Sequence, residues 1–156
     1  MMTTKKPALK NTRSRSPNVF TRIQKILIEH GAREFTFELD GQGHYTALKF
    51  ALLVHDRLLH VRMSANVDKV RKALMQRATT NVQVNQAMKS AYQVAWANVR
   101  DWLDVQMALV DINMVEIPQI FLPYALMDET GQTFYEVMQE HHFALPETTE
   151  RRYHLE

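Results

Sequence analysis

The chain has no cysteine, which removes a disulfide framework, a thiolate nucleophile and any Cys-containing zinc site, and leaves a reducing compartment permitted. Turn formers are scarce too. Four Gly and five Pro in 156 residues argue against a loop-rich sandwich or barrel and in favour of helix. The longest strongly apolar stretch, Phe50 to Val54, falls far short of the roughly 20 residues that cross a bilayer. The amino terminus lacks an apolar leader-like core, so a soluble, cytoplasmic protein with no membrane partner is expected. Acidic residues are also rare over most of the chain. Residues 1–100 hold seventeen Lys and Arg against six Asp and Glu, a net of +11, whereas residues 101–156 hold two against eleven, a net of −9. The whole-chain charge of +2 conceals this split. It permits a basic surface for nucleic acid, an acidic surface for a protein, or two halves that neutralise each other within one domain.

A chain of this length, 46% apolar, can bury roughly 70% of its unfolded surface around one core. Residues 1–17 carry Lys5, Lys6, Lys10, Arg13 and Arg15 with almost nothing to bury and are expected to be a flexible basic tail. Residues 18–143 then form one α+β domain, and 144–156 a loose carboxy-terminal tail. Val19, Ile23, Ile26 and Leu27 recur at helical spacing, so a helix runs from about Asn18 to His30 and stops at Gly31. From Arg33 the period drops to two. Phe35, Phe37 and Leu39 alternate with polar residues, and Asp40-Gly41-Gln42-Gly43 supplies hairpin turn chemistry. A second strand spans His44 to Val54, with Leu48, Phe50, Leu52 and Val54 on one face and Tyr45, Ala47, Lys49 and Ala51 on the other. After a tight turn at His55-Asp56, a third strand runs from Arg57 to Met63, with Arg57, His60 and Arg62 mostly directed away from the core.

Asp68 to Arg77 is helix-compatible and basic, and Ala78 to Asn85 is expected to break or loop out. A long helix follows from about Val84 to Val115, ended by Pro118. Ile117 to Met127 reads as a short helix or turn broken by Pro123. Thr133 and Glu136 have capping-box spacing for a last helix ending near His141. The expected architecture is a three-stranded antiparallel sheet packed against an amino-terminal helix and a long central helix, with short carboxy-terminal helices.

The segments IQKILIEHGAREFTFELD, LKFALLVHDRLLHVRM, AWANVRDWLDVQMALVDINMVEIPQIFLPYALM and GQTFYEVM, in that order between Ile23 and Met138, carry a resemblance. The chain resembles a family of uncharacterised small α+β proteins of bacteriophages and prophages. That resemblance implies this fold and a mobile-element origin, and it brings no catalytic residues with it. The stretch Trp96-Ala97-Asn98-Val99-Arg100 is less basic than its counterpart in the family, so no basic face is carried over to the long helix.

The best functional candidates are the basic residues Lys49, Arg57, His60, Arg62, Lys69, Arg71, Lys72 and Arg77, which together with the tail could neutralise several phosphates, with Tyr45 placed to stack a base. Trp96, just before the acidic half, and Trp102, Phe121 and Tyr124 within it are mostly core formers, and any surplus would suit a protein or homo-oligomer interface. Glu29 and Asp40 could fill two places of a restriction-endonuclease-like magnesium site, but no (Asp/Glu)-x-Lys follows, since Ala47 stands two residues before Lys49. Asp101 and Asp104 read as a wet helix face, and the seven His lack metal-ligand spacing. No metal, cofactor or catalytic residue is assigned. The expected function is a non-catalytic phage or mobile-element accessory protein that binds nucleic acid through its basic half and a protein partner through its acidic half. The alternative is an interaction-only oligomer, adaptor or inhibitor of a host or defence complex, and a metal-dependent nuclease comes third.

Overall fold

The computed structural model describes residues 8–12 and 18–144. Helix α1 (Val19–Glu29) buries the stripe Val19, Ile23, Ile26 and Leu27, as its spacing requires, and ends where Gly31 turns the chain at φ +90°. The chain passes directly into β1 (Ala32–Leu39), β2 (Tyr45–Val54) and β3 (Arg57–Ser64), an antiparallel sheet of order β1-β2-β3. At the first turn Asp40 Oδ1 accepts the backbone N–H groups of Gln42 at 2.9 Å and His44 at 3.0 Å. At the second, His55 and Asp56 take φ +47° and +65°, the backbone a two-residue hairpin needs to follow the strand twist.

Pairing of Phe37 with Leu48, of Leu48 with Met63, of Phe50 with Val61 and of Leu52 with Leu59 puts these side chains on the helix-covered face. Two irregularities in β1 against β2 then matter. Glu34 and Phe35 together oppose Phe50, with Glu34 at φ +60°, so the alternation survives a bulge. Near the turn, Glu38 pairs with Ala47 but Leu39 pairs with Tyr45, which leaves Thr46 as an extra residue.

Helices α2 (Val67–Arg77) and α3 (Asn81–Asp111) follow. The break expected over Ala78–Asn85 shrinks to Ala78–Thr80. Thr80 Oγ1 accepts the Gln83 N–H at 3.2 Å while Gln83 Oε1 accepts the Thr79 N–H at 2.7 Å, so the polar run caps a helix instead of interrupting one. Beyond α3 come α4 (Ile117–Phe121), a 3-10 turn (Leu122–Tyr124) and α5 (Phe134–Glu140). Trp96, Phe50, Phe121, Ile23, Leu27 and Leu48 are among the largest fully buried side chains, and they come from α3, the sheet, α4 and α1. The expected α+β architecture is therefore the observed one.

The carboxy-terminal elements also protect a sheet edge. Ala125 bridges to Val61, the Leu126 N–H donates to the His60 carbonyl at 2.8 Å, and the Phe134 N–H donates to the Ala125 carbonyl at 2.8 Å. Most of the expected flexible tail lies outside the described residues, as does the loose end apart from Ala144. Of the tail, residues 8–12 lie against the helices: Asn11 Nδ2 donates to Asn98 at 2.9 Å and to Asp101 at 2.8 Å. Among the described residues, no helix is long and apolar enough to cross a membrane.

Candidate functional site

The helices lie on one face of the sheet, and the register defines the other as a grid. Leu53 faces Leu58, Ala51 lies between Arg33 and His60, Lys49 between Thr36 and Arg62, and Ala47 between Glu38 and Ser64. Arg33, Thr36, Leu53, Leu58, His60 and Ser64 are exposed on it. Ala47 and Ala51 are buried, being short enough to sit beneath the longer side chains beside them. This open face therefore carries Arg33, Lys49, Arg62 and His60 above a low alanine floor. Among its register-paired positions three permanent cations stand against one carboxylate.

That carboxylate organises the others. Arg62 Nε and Nη2 both donate to Glu38, with Nη2 at 2.7 Å from Oε2, and Lys49 Nζ lies 3.1 Å from Oε1. The Arg62 guanidinium holds the Glu38 carboxyl below its ordinary value, with Lys49 adding to the effect and partial burial opposing it. Glu38 in turn raises Arg62. Arg62 and Lys49 remain 30% and 42% exposed, so water or a phosphate still reaches them.

The eight basic residues singled out from the sequence do not form one patch. Lys49, His60 and Arg62 lie on the open face, and Lys69, in the first turn of α2, lines a depression of about 290 Å³ that also includes Arg62. Arg57 pairs with Val54 and so takes the helix-side parity, exposed at the hairpin end; it is not on the open face. Arg71 pairs with Asp68 at 2.8 Å and lies 5.4 Å over the Tyr92 ring, Lys72 is exposed elsewhere on α2, and Arg77 donates to the Leu9 carbonyl at 3.4 Å. Arg33 and Glu38 belong to the face but were absent from that set. Glu38 alternates with Phe37 and Leu39, which was signal enough to place it, whereas Arg33 has the parity of Phe35 and Phe37 and only the bulge at Glu34-Phe35 brings it to this face.

Tyr45 corrects a further expectation. The extra residue at Thr46 turns its ring to the helix side, where it stacks on Phe37 at 4.5 Å and meets Phe20 edge-on at 4.8 Å, so it cannot stack a base on the open face. Trp96 and Phe121 are fully buried and fill the core, which withdraws both from any partner surface. Trp102 and Tyr124 are half-buried, edge-on to each other at 5.8 Å.

A larger cavity, about 690 Å³, opens between the Asp40 turn, α2 and α3. Several of its polar groups are engaged with one another, while the buried Arg71 Nε has no hydrogen-bond partner. The Tyr92 hydroxyl donates to Asp40 Oδ2, which with the His44 N–H keeps the Asp40 carboxyl low, and the His44 ring stacks on Tyr92 at 4.1 Å. Asp40 is thus committed to its turn, and Glu29 is exposed at the end of α1. Among the described residues no group of three or more His, Asp or Glu is arranged to hold a metal ion. The acidic residues of α3 serve the fold: Asp104 pairs with Arg22 at 2.9 Å, Asp111 with His30 at 2.8 Å, and Asp101 with Arg100 at 3.0 Å. No protein-family model, no curated protein and no solved structure matches the chain.

Proposed function

We propose that the protein is a non-catalytic nucleic-acid-binding accessory protein, of the phage or mobile-element kind that the sequence resemblance implies, and that it holds the sugar–phosphate backbone on the open face of its sheet. The observation that carries this reading is the pair of adjacent rows Arg33-Ala51-His60 and Thr36-Lys49-Arg62, cationic and uncovered by any helix. Phosphate contacts need donors and positive charge without bulk between them, and the alanine floor leaves that room. Glu38 pre-orients Lys49 and Arg62, so less side-chain freedom is lost on binding.

The test is fluorescence anisotropy on labelled oligonucleotides. Three cationic contacts imply an affinity that falls about tenfold or more between about 50 and 200 mM salt. Replacing Arg33 and Lys49 together by Ala should weaken binding and flatten that salt dependence, whereas Arg57→Ala, on the other parity, should change it far less. Absence of binding at about 50 mM salt would remove the proposal. A second reading, an interaction-only oligomer or adaptor, is favoured by Leu53 and Leu58, which face each other on the same surface and are 52% and 44% exposed. It requires light scattering to find an oligomer that Leu58→Asp dissociates.

A further inference from the structure

The depression beside the open face has a different chemistry from the grid. It lies between the end of β3, the start of α2, the 3-10 turn and α5, and its lining includes Arg62, Lys69, Tyr124, Thr133, Tyr135 and Glu136. One wall is apolar and aromatic. Tyr124 is fixed edge-on against Trp102, while Tyr135 is 51% exposed and leans on Phe143 at 5.6 Å. Arg62 and Lys69 also line the depression. Glu136, whose charge acts on Arg62, is oriented by Thr133, whose hydroxyl donates to Glu136 Oε1 at 3.1 Å and accepts the Glu136 N–H at 3.3 Å. Oε2 takes no part in that pair.

We propose that this depression takes one unstacked nucleotide of a single strand whose backbone runs on to the open face, with the base against Tyr135 and the phosphate on Lys69 and Arg62. The volume of about 290 Å³ suits one nucleotide and has no room for a base pair. A carboxylate oxygen accepts from an exocyclic amino group and repels a carbonyl, so Glu136 favours cytosine or another amino-bearing base over thymine or uracil. At the larger cavity both carboxylates are engaged, Asp40 with Tyr92 and its own turn and Asp68 with Arg71.

The inference rests on the nucleic-acid reading above, and one titration series separates the two. The wild-type chain, Tyr135→Ala, Tyr135→Phe, Glu136→Gln and Lys49→Ala are titrated with labelled twelve-nucleotide oligomers of cytosine and of thymine and with a duplex. Wild type should prefer the cytosine oligomer. Tyr135→Ala should lower single-strand affinity about five- to a hundredfold and leave duplex affinity unchanged, while Tyr135→Phe retains it. Glu136→Gln should erase the preference for cytosine over thymine, and Lys49→Ala should weaken all three probes alike. If wild type binds none of the probes at about 50 mM salt, both readings fall. If it binds all three, Lys49→Ala weakens each and Tyr135→Ala changes none, the nucleotide pocket is overturned and the open-face reading stands.

Discussion

Trp96 joins the two layers of the fold through one side chain. Its ring is fully buried, 5.2 Å from Phe20 and 6.0 Å from Phe37, and its indole N–H donates to the Tyr45 carbonyl at 2.9 Å. Removing it opens a cavity between α1, α3 and β1 and strands a carbonyl beside the sheet's irregular pair. Trp96→Ala is expected to destabilise the protein by about 3–5 kcal/mol in urea unfolding, while Ile112→Ala, at a side chain 68% exposed, stays within about 0.5 kcal/mol. Composition and period identify Trp96 as apolar and helical but give no depth, since depth depends on which turn of α3 crosses the sheet. Tyr45 shows the same limit. Strict alternation assigns it to the outward face, and a single extra residue at Thr46 reverses it.

At the level of elements, strands and helices follow from period because burial of one face is the dominant local requirement. Boundaries follow from capping, which is more easily misread. Thr80-x-x-Gln83 has the spacing of a capping signature and starts α3, although Thr79-Thr80-Asn81 reads by propensity as a break. The β2–β3 turn is a case in which sequence and backbone are in tension. His55 and Asp56 both occupy left-handed conformations that glycine adopts without a Cβ clash. Asp56→Gly is therefore expected to stabilise the protein by about 0.5–1 kcal/mol in urea unfolding, where the same substitution in an ordinary strand would weaken it. A loss of stability would mean that the Asp56 side chain contributes more than its backbone costs.

For the whole molecule, ion pairs link the described basic and acidic halves at three places, the chain neighbours Arg100 and Asp101, Arg22 with Asp104, and His30 with Asp111, and the last two join α1 and its C-cap to α3. Partial burial would lower the His30 imidazole, but the Ile26 carbonyl and the Asp111 carboxylate outweigh it and raise it above its ordinary 6.5. A raised folded-state pKa contributes stability that is fully present below 6.5 and lost as pH rises through the folded value. Glu38 behaves oppositely: Arg62 depresses it, so its contribution is present above its ordinary 4.5 and lost as pH falls through the lower folded value. Stability measured by urea midpoint should therefore peak between these limits, with His30→Gln flattening the alkaline limb and Glu38→Gln the acid limb. The amino-acid sequence by itself determined the α+β class, the order of elements, the apolar stripe of α1 and the net charge of each half, because these depend on local period and composition. Only the tertiary structure decided that Lys49, Arg62, Arg33 and His60 share an uncovered face while Arg57 and Arg71 do not, that Tyr45 turns inward, and that Tyr135 reaches the basic surface from the far end of the chain. Those outcomes depend on strand register and on packing between distant segments, and one inserted residue is enough to invert them.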